Sequence, residues 1–344
     1  MTHSEAAEHA ARLRGLLYLA CPDAPARAIK STAEAITQHA EEMPGEPVPE
    51  SAGLTRPNSD QFESRVDLSS ADLTSANLTR VFLIGANLSG AKLTDADLTR
   101  AELTYTNLSR ADLIGTNLTR AVLNDADLTG ADLTRALLID ANLTSTNLAN
   151  ANLSGANLAD ANLTSTNLAN ANLSGANLAV TKLTEANLSG ANLTSANLTG
   201  ALLSRAKLTS ALLTGANLPH ASLAGANLGD AFLLRANLTS AKLTGANLSG
   251  ANLTTANLTG ADLTSADLTG ANLTGANLSG ANLISATLMS ATHMRLPVRA
   301  TWNRETMWPA NLVRTVAEHS DEVSPGVYQV RGGGLSSDRD TTWV

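Results

Sequence analysis

The chain has 344 residues, a formal net charge of −8, 3% aromatic residues and a single cysteine. One thiol cannot build an internal disulfide framework and suits a reducing compartment, so a cytoplasmic location is expected. No run approaches eighteen consecutive apolar residues, and no membrane-spanning helix is expected.

Residues 4–20 carry Ala6, Ala10, Leu13, Leu17 and Ala20 at helical spacing, with Ser4 as an N-cap and Glu5 and Glu8 in the first turns. The run Leu16-Leu17-Tyr18-Leu19-Ala20-Cys21 is too short and too poorly matched at its end to read as a lipoprotein signal, and it fits an amphipathic helix with a buried thiol. A second helix is expected over 25–42, between Pro25 and Pro44. These helices make residues 1–43 a helical N-terminal segment. Pro44, Pro47, Pro49 and Pro57 then mark 44–60 as a linker.

Residues 61–290 are one repeat. Leucine stands at 68 and at every fifth position to 288, which makes 45 leucines without an exception. Each lies third in a pentapeptide. The first slot is small, mostly Ala, with Val66, Val81, Thr106, Thr116, Thr146, Thr166 and Thr181 as variants. The second is usually Asn or Asp, the fourth Thr or Ser, and the fifth Gly, Ser, Asp, Asn or Arg. A period of five fits neither the helical 3.6 nor the strand period of 2. It fits a short extended piece, whose first and third residues share a side, followed by a turn at the fifth. Ala and Leu then face inward. Residues 141–160 and 161–180 are identical at nineteen of twenty positions, with only Asp160 against Val180 differing. An inserted block leaves downstream faces unrotated when it is one whole turn of the coil. The duplication therefore suggests four pentapeptides per coil.

Beyond the repeats, Trp302, Trp308, Leu312, Val313 and Val316 concentrate apolar bulk. Pro309 is expected to open a short helix, and Val327-Tyr328-Gln329-Val330 reads as a strand. Residues 291–330 are assigned as a C-terminal cap, because an open coil end exposes apolar surface and unpaired backbone. Residues 331–344 read as a loose tail.

The pattern Ala-(Asp/Asn)-Leu-(Thr/Ser)-X, in 45 registered copies over 66–290, resembles the pentapeptide repeat family. The resemblance implies an all-β core. It would be a right-handed quadrilateral β-helix with four repeats per coil, about eleven coils here. At ~4.8 Å per coil the rod would be about 50 Å long. The activity best known for that family is protection of DNA gyrase from quinolones or peptide toxins by an acidic rod that mimics duplex DNA. Charge argues against that role here. Residues 66–290 hold 15 acidic and 11 basic side chains, a net of −4. A duplex of that length carries roughly 30 negative charges.

Catalytic chemistry is not expected. His3, His9, His39, His220, His293 and His319 are scattered, and no metal or cofactor is implied. Asp127 and Asp132 fall on adjacent faces, and Gly332-Gly333-Gly334 lacks the strand and helix of a phosphate loop. A coil filled with leucine leaves no substrate pocket. The reading is a non-enzymatic scaffold or protein-interaction rod, with gyrase modulation as the alternative and no direct nucleic-acid binding. Ice binding by flat Asn/Thr faces is disfavoured by the varied charge and bulk outside.

Two surface features stand out. Arg80, Arg100 and Arg120, spaced by twenty, should line one edge in three successive coils. Leu212 and Phe232 in second slots and Leu234 in a fourth slot should gather on one face, with Leu202 on a neighbouring face. This patch is the candidate contact for a homodimer or a protein partner. A second cluster, Phe82, Ile84 and Val122, is assigned to receive the N-terminal helices.

Overall fold

The computed structural model describes residues 66–332. The expected helices at 4–20 and 25–42 and the linker at 44–60 lie outside them.

Second-slot residues bridge in parallel to the residue twenty positions on, from Asp67↔Asn87 to Asn272↔Thr292. One turn of the coil is therefore four pentapeptides, as the duplicated block suggests. The bridges form four ladders, one per side. They begin at Asp67, Asp72, Asn77 and Phe82, and they name the four faces below.

Backbone bonding explains the repeat slot by slot. The leucine N–H donates to the second-slot carbonyl of the next coil, as in Leu68 to Asn87 at 2.7 Å. The second-slot N–H donates back to a first-slot carbonyl, as in Asn87 to Val66 at 2.8 Å. The fifth-slot N–H donates onward, Ser70 to Ser89 at 2.9 Å, and the first-slot N–H closes the turn, Ala71 to Leu68 at 3.1 Å. Within the described repeats the fourth-slot N–H is the one without a backbone acceptor. The Asn or Asp side chain two residues earlier supplies one, as in Thr79 N to Asn77 Oδ1 at 3.2 Å, and the Thr79 hydroxyl donates to the same oxygen at 2.6 Å. A chain that must satisfy its main-chain donors thus uses Asn or Asp in the second slot and Thr or Ser in the fourth.

No repeat leucine is more than 5% exposed, and first-slot residues pack beside them. The threonine variants of the first slot stay dry because each hydroxyl reaches the carbonyl of a leucine 23 residues earlier. Thr106 to Leu83, at 2.8 Å, and Thr146 to Leu123, at 2.7 Å, are two of these bonds.

The coil outlasts the leucine run. Two ladders continue through Asn282↔Thr301 and Thr287↔Met307. The first step is nineteen residues and the second again twenty, so one residue is dropped before Thr301 and returned before Met307. Ala300 and Thr306 occupy first slots, both buried, and Thr306 donates to Leu283 O at 2.8 Å as other first-slot threonines do. Trp302 and Trp308 therefore stand where leucines would. Their rings meet edge-on with centroids 5.9 Å apart, and the Trp302 ring lies 4.8 Å from that of Tyr328. A boundary at 290 falls too early; the last sides of the coil are built by tryptophan.

From there the chain forms β1 (Thr301–Asn303), α1 (Val313–Glu318), β2 (Ser320–Ser324) and β3 (Val327–Val330). The strands make an antiparallel sheet in the order β1-β3-β2. The strand expected at 327–330 is β3. The helix expected after Pro309 starts at Val313, one turn later, because Leu312 N–H first closes a turn on Pro309 O at 2.8 Å.

Candidate interaction surface

The interior of the described coils is filled by leucine and alanine, so among the described residues the candidate surfaces are the four faces. They are stiffened by side-chain ladders. On the Asn77 face, Asn177 Nδ2 donates to Asn157 Oδ1 at 3.0 Å and Asn197 repeats the bond to Asn177 at 3.0 Å. Ion pairs also join successive coils: Lys92–Asp72 at 3.7 Å, Arg120–Asp140 at 3.3 Å and Arg205–Glu185 at 3.5 Å. All are exposed, and screening by water keeps their contribution to stability small.

Among the carboxylates, Asp67 is held below its ordinary value by the Ser69 backbone N–H and hydroxyl, and Asp72 by the Thr74 hydroxyl and N–H. For Asp262, burial pushes upward, but the Thr264 hydroxyl and N–H and the Thr244 hydroxyl outweigh it and hold the carboxyl down. These carboxylates serve as turn acceptors for the N–H groups two residues on. Among the described residues no group of three or more His, Cys, Asp or Glu is placed to hold a metal ion, and no helix is long and apolar enough to cross a membrane. A shallow depression of about 510 Å³ on the Asp67 face is lined by Ser89, Asn107, Arg110 and Asp127 among others.

The apolar patch is smaller than the sequence suggests. Leu212 and Phe232 are directly bridged on adjacent coils of the Asp72 face and are 39% and 46% exposed. Leu234, two residues past Phe232, is partly buried beside them. Leu202 does not belong with them. It bridges Lys182 and Ser222 on the Phe82 face, two pentapeptides from Leu212 and hence on the opposite side of the coil. Ten residues are half a turn, not a quarter.

Arg80, Arg100 and Arg120 do occupy one edge, at the fifth slot after the Asn77 face, all in the left-handed region at φ 58–59°. The stripe is interrupted by its own neighbour, since Arg120 is paired to Asp140. Several exposed apolar residues were not singled out from the sequence. Leu137 is 40% exposed on the Asn77 face, and Ile114 and Val180 also reach solvent. Met307, 51% exposed, follows Thr287 on the Asp67 face, with Met289 of that preceding coil 48% exposed. Leu137 was detectable as an apolar second-slot residue. Met307 was hidden because it lies past the last leucine of the run.

A four-sided coil of five-residue pieces, each bridged to the piece twenty residues on, defines a β-solenoid with a solid core. The family model for pentapeptide repeats matches eight times between residues 67 and 292, and the chain belongs to that family. Among solved structures it is similar to HetL, a pentapeptide repeat protein involved in heterocyst differentiation regulation from the cyanobacterium Nostoc sp. strain PCC 7120. The identity is 39%, over 61% of this chain and 88% of HetL, with a TM-score of 0.30. It is also similar to Rfr23 from the cyanobacterium Cyanothece 51142, at 35% identity over 30% of this chain and 63% of that one, with a TM-score of 0.20. A third is QnrB1, a plasmid-mediated fluoroquinolone resistance protein, at 14% identity over 57% and 85% of the two chains, with a TM-score of 0.28. No curated protein matches.

Proposed function

We propose that this protein is a non-enzymatic interaction rod of the cytoplasm, a right-handed solenoid of about eleven coils that binds a protein partner through the Leu212–Phe232–Leu234 patch. One observation carries this reading. Leu212 and Phe232 stand in second slots, where Asn or Asp would supply the acceptor for the fourth-slot N–H; Thr214 and Leu234 are left without that acceptor. Two stacked coils thus forgo a bond the repeat normally makes and present apolar side chains instead. Such a cluster on an Asn/Thr surface suits a partner's apolar anchor. Gyrase modulation by duplex mimicry is the weaker alternative, since the repeat region carries a net of only −4.

The test is to restore the repeat's own residue with Leu212→Asn and Phe232→Asn together. Each asparagine regains a turn acceptor, so the variant should be at least as stable as the parent, by up to about 1 kcal/mol per bond. Loss of binding then cannot be blamed on unfolding. Light scattering would report loss of self-association, and pull-down from the native host would report loss of a particular partner. Unchanged mass and an unchanged partner set in the folded variant would remove the patch as an interface.

A further inference from the structure

The edge that follows the Asn77 face carries its charges in an order that no other edge repeats. Its fifth-slot residues run Arg80, Arg100, Arg120, Asp140, Asp160, one per coil and all exposed. On the other three edges of the described repeats no run of charges exceeds two coils, Glu185 and Arg205. Arg120 and Asp140 are paired to each other at 3.3 Å, while Arg80, Arg100 and Asp160 make no ion pair among the described residues. Like charges stacked ~4.8 Å apart repel, and within one rod nothing offsets that at Arg80 and Arg100. The adjoining face changes where the sign changes. Of the eleven second-slot residues from Asn77 to Asn277, ten are Asn or Asp, and Leu137 is the exception. Leu137 is exposed, Ile139 stands beside it in the fourth slot, and Asp140 follows at the edge.

We propose that two copies of this chain associate antiparallel through the Asn77 face, with this edge setting their direction and register. Three positive side chains followed by two negative ones complement a second copy only when that copy is reversed. A two-fold axis lying in the face and across the rod keeps the edge on the same side in both copies, so the two edges meet. With the axis between the coils of Arg120 and Asp140, Arg120 faces Asp140 of the second copy and Arg100 faces its Asp160, and each pairing occurs twice. In a parallel pair every arginine would face its own copy. The same axis brings Leu137 of the two copies within one coil of each other, ~4.8 Å along the rod. Apolar contact then lies at the centre of the interface, and charge fixes its orientation. The Asn77 face is a quarter turn from the Leu212–Phe232 patch, and the inference stands whether or not that patch binds a partner.

Sedimentation equilibrium of the full chain, in reductant, should show a dimer that salt weakens. Arg100→Asp with Arg120→Asp makes the edge acidic from 100 to 160, and Asp140→Arg with Asp160→Arg makes it basic. Each double variant should weaken dimerisation by about tenfold or more. Aspartate and arginine both occupy fifth slots already, so the rod should keep its circular dichroism. Mixing the two variants should restore a dimer of two unlike chains. Leu137→Asn, which returns the residue usual on this face, should also weaken the dimer while the rod stays folded. Direction is read by cross-linking in a Cys21→Ser background. A short bismaleimide should join Thr99→Cys chains to Ala159→Cys chains, and neither to its own kind. A parent that is monomeric, a dimer indifferent to charge reversal or to Leu137→Asn, no rescue on mixing, or Thr99→Cys chains joined to one another would each overturn the proposal.

Discussion

At the fifth slot the backbone demands a left-handed conformation, and all 45 repeats adopt it, with φ between 54° and 68°. Glycine accepts this without strain, and Ser, Asn and Asp accept it at modest cost. Val180 does not: it is β-branched, at φ 59°, and 54% exposed, so it gains little from packing. Val180→Gly should therefore stabilise the rod by about 1 kcal/mol, read as a higher midpoint in chemical denaturation; a lower midpoint would show that Val180 packs better than its exposure implies. Glu102 offers a pH test. Its folded value is raised by burial, so the neutral form is favoured, and that contribution is full below 4.5 and lost as pH rises through the folded value. Glu102→Gln should raise the melting temperature at pH 7 and give no gain below pH ~4. The gain should stay under about 1 kcal/mol, because the half-buried carboxyl is screened by solvent.

At the scale of elements, the cap is held by aromatic packing rather than by the repeat. Trp302 takes a leucine slot, yet its ring reaches Trp308 and Tyr328, and its Nε1 donates to Ser320 Oγ at 2.9 Å. One residue thereby ties β1 to both the coil end and β2. Trp302→Leu restores the repeat's own residue but loses these contacts. It should cost about 1–3 kcal/mol, and proteolysis should open residues 313–330 before the rod itself. Equal protease resistance in the variant would show that the strand pairing alone holds the cap. Trp308 is chosen for size: its Nε1 is buried and has no hydrogen-bond partner among the described residues.

Across the whole molecule, stability accumulates coil by coil, because each coil touches only its neighbours. Deleting residues 161–180 removes four sides and returns every ladder to its own face, so a folded and slightly shorter rod is expected. Deleting 161–163 shifts every later leucine out of the inner slot. Each leucine turned outward forfeits roughly 1.5–3 kcal/mol, and cooperative melting should be lost. Equal melting curves for the two deletions would contradict a twenty-residue coil.

The period, the inward Ala and Leu, and the twenty-residue turn were all legible in the sequence, because a strict repeat makes each residue's environment the same as its neighbour's. So was the strand at 327–330, from its β-branched and aromatic run. The opposite placement of Leu202 was also within reach, since ten residues are half a coil, but the arithmetic has to be done face by face. The roles of the second and fourth slots became plain only when each N–H was assigned an acceptor. The end of the rod was not legible at all. Past Leu288 no repeat is left to count, one residue is dropped and then returned, and two tryptophans fill leucine slots. There the register is set by how large rings pack against the last coil and against β3, which is a property of the tertiary structure alone.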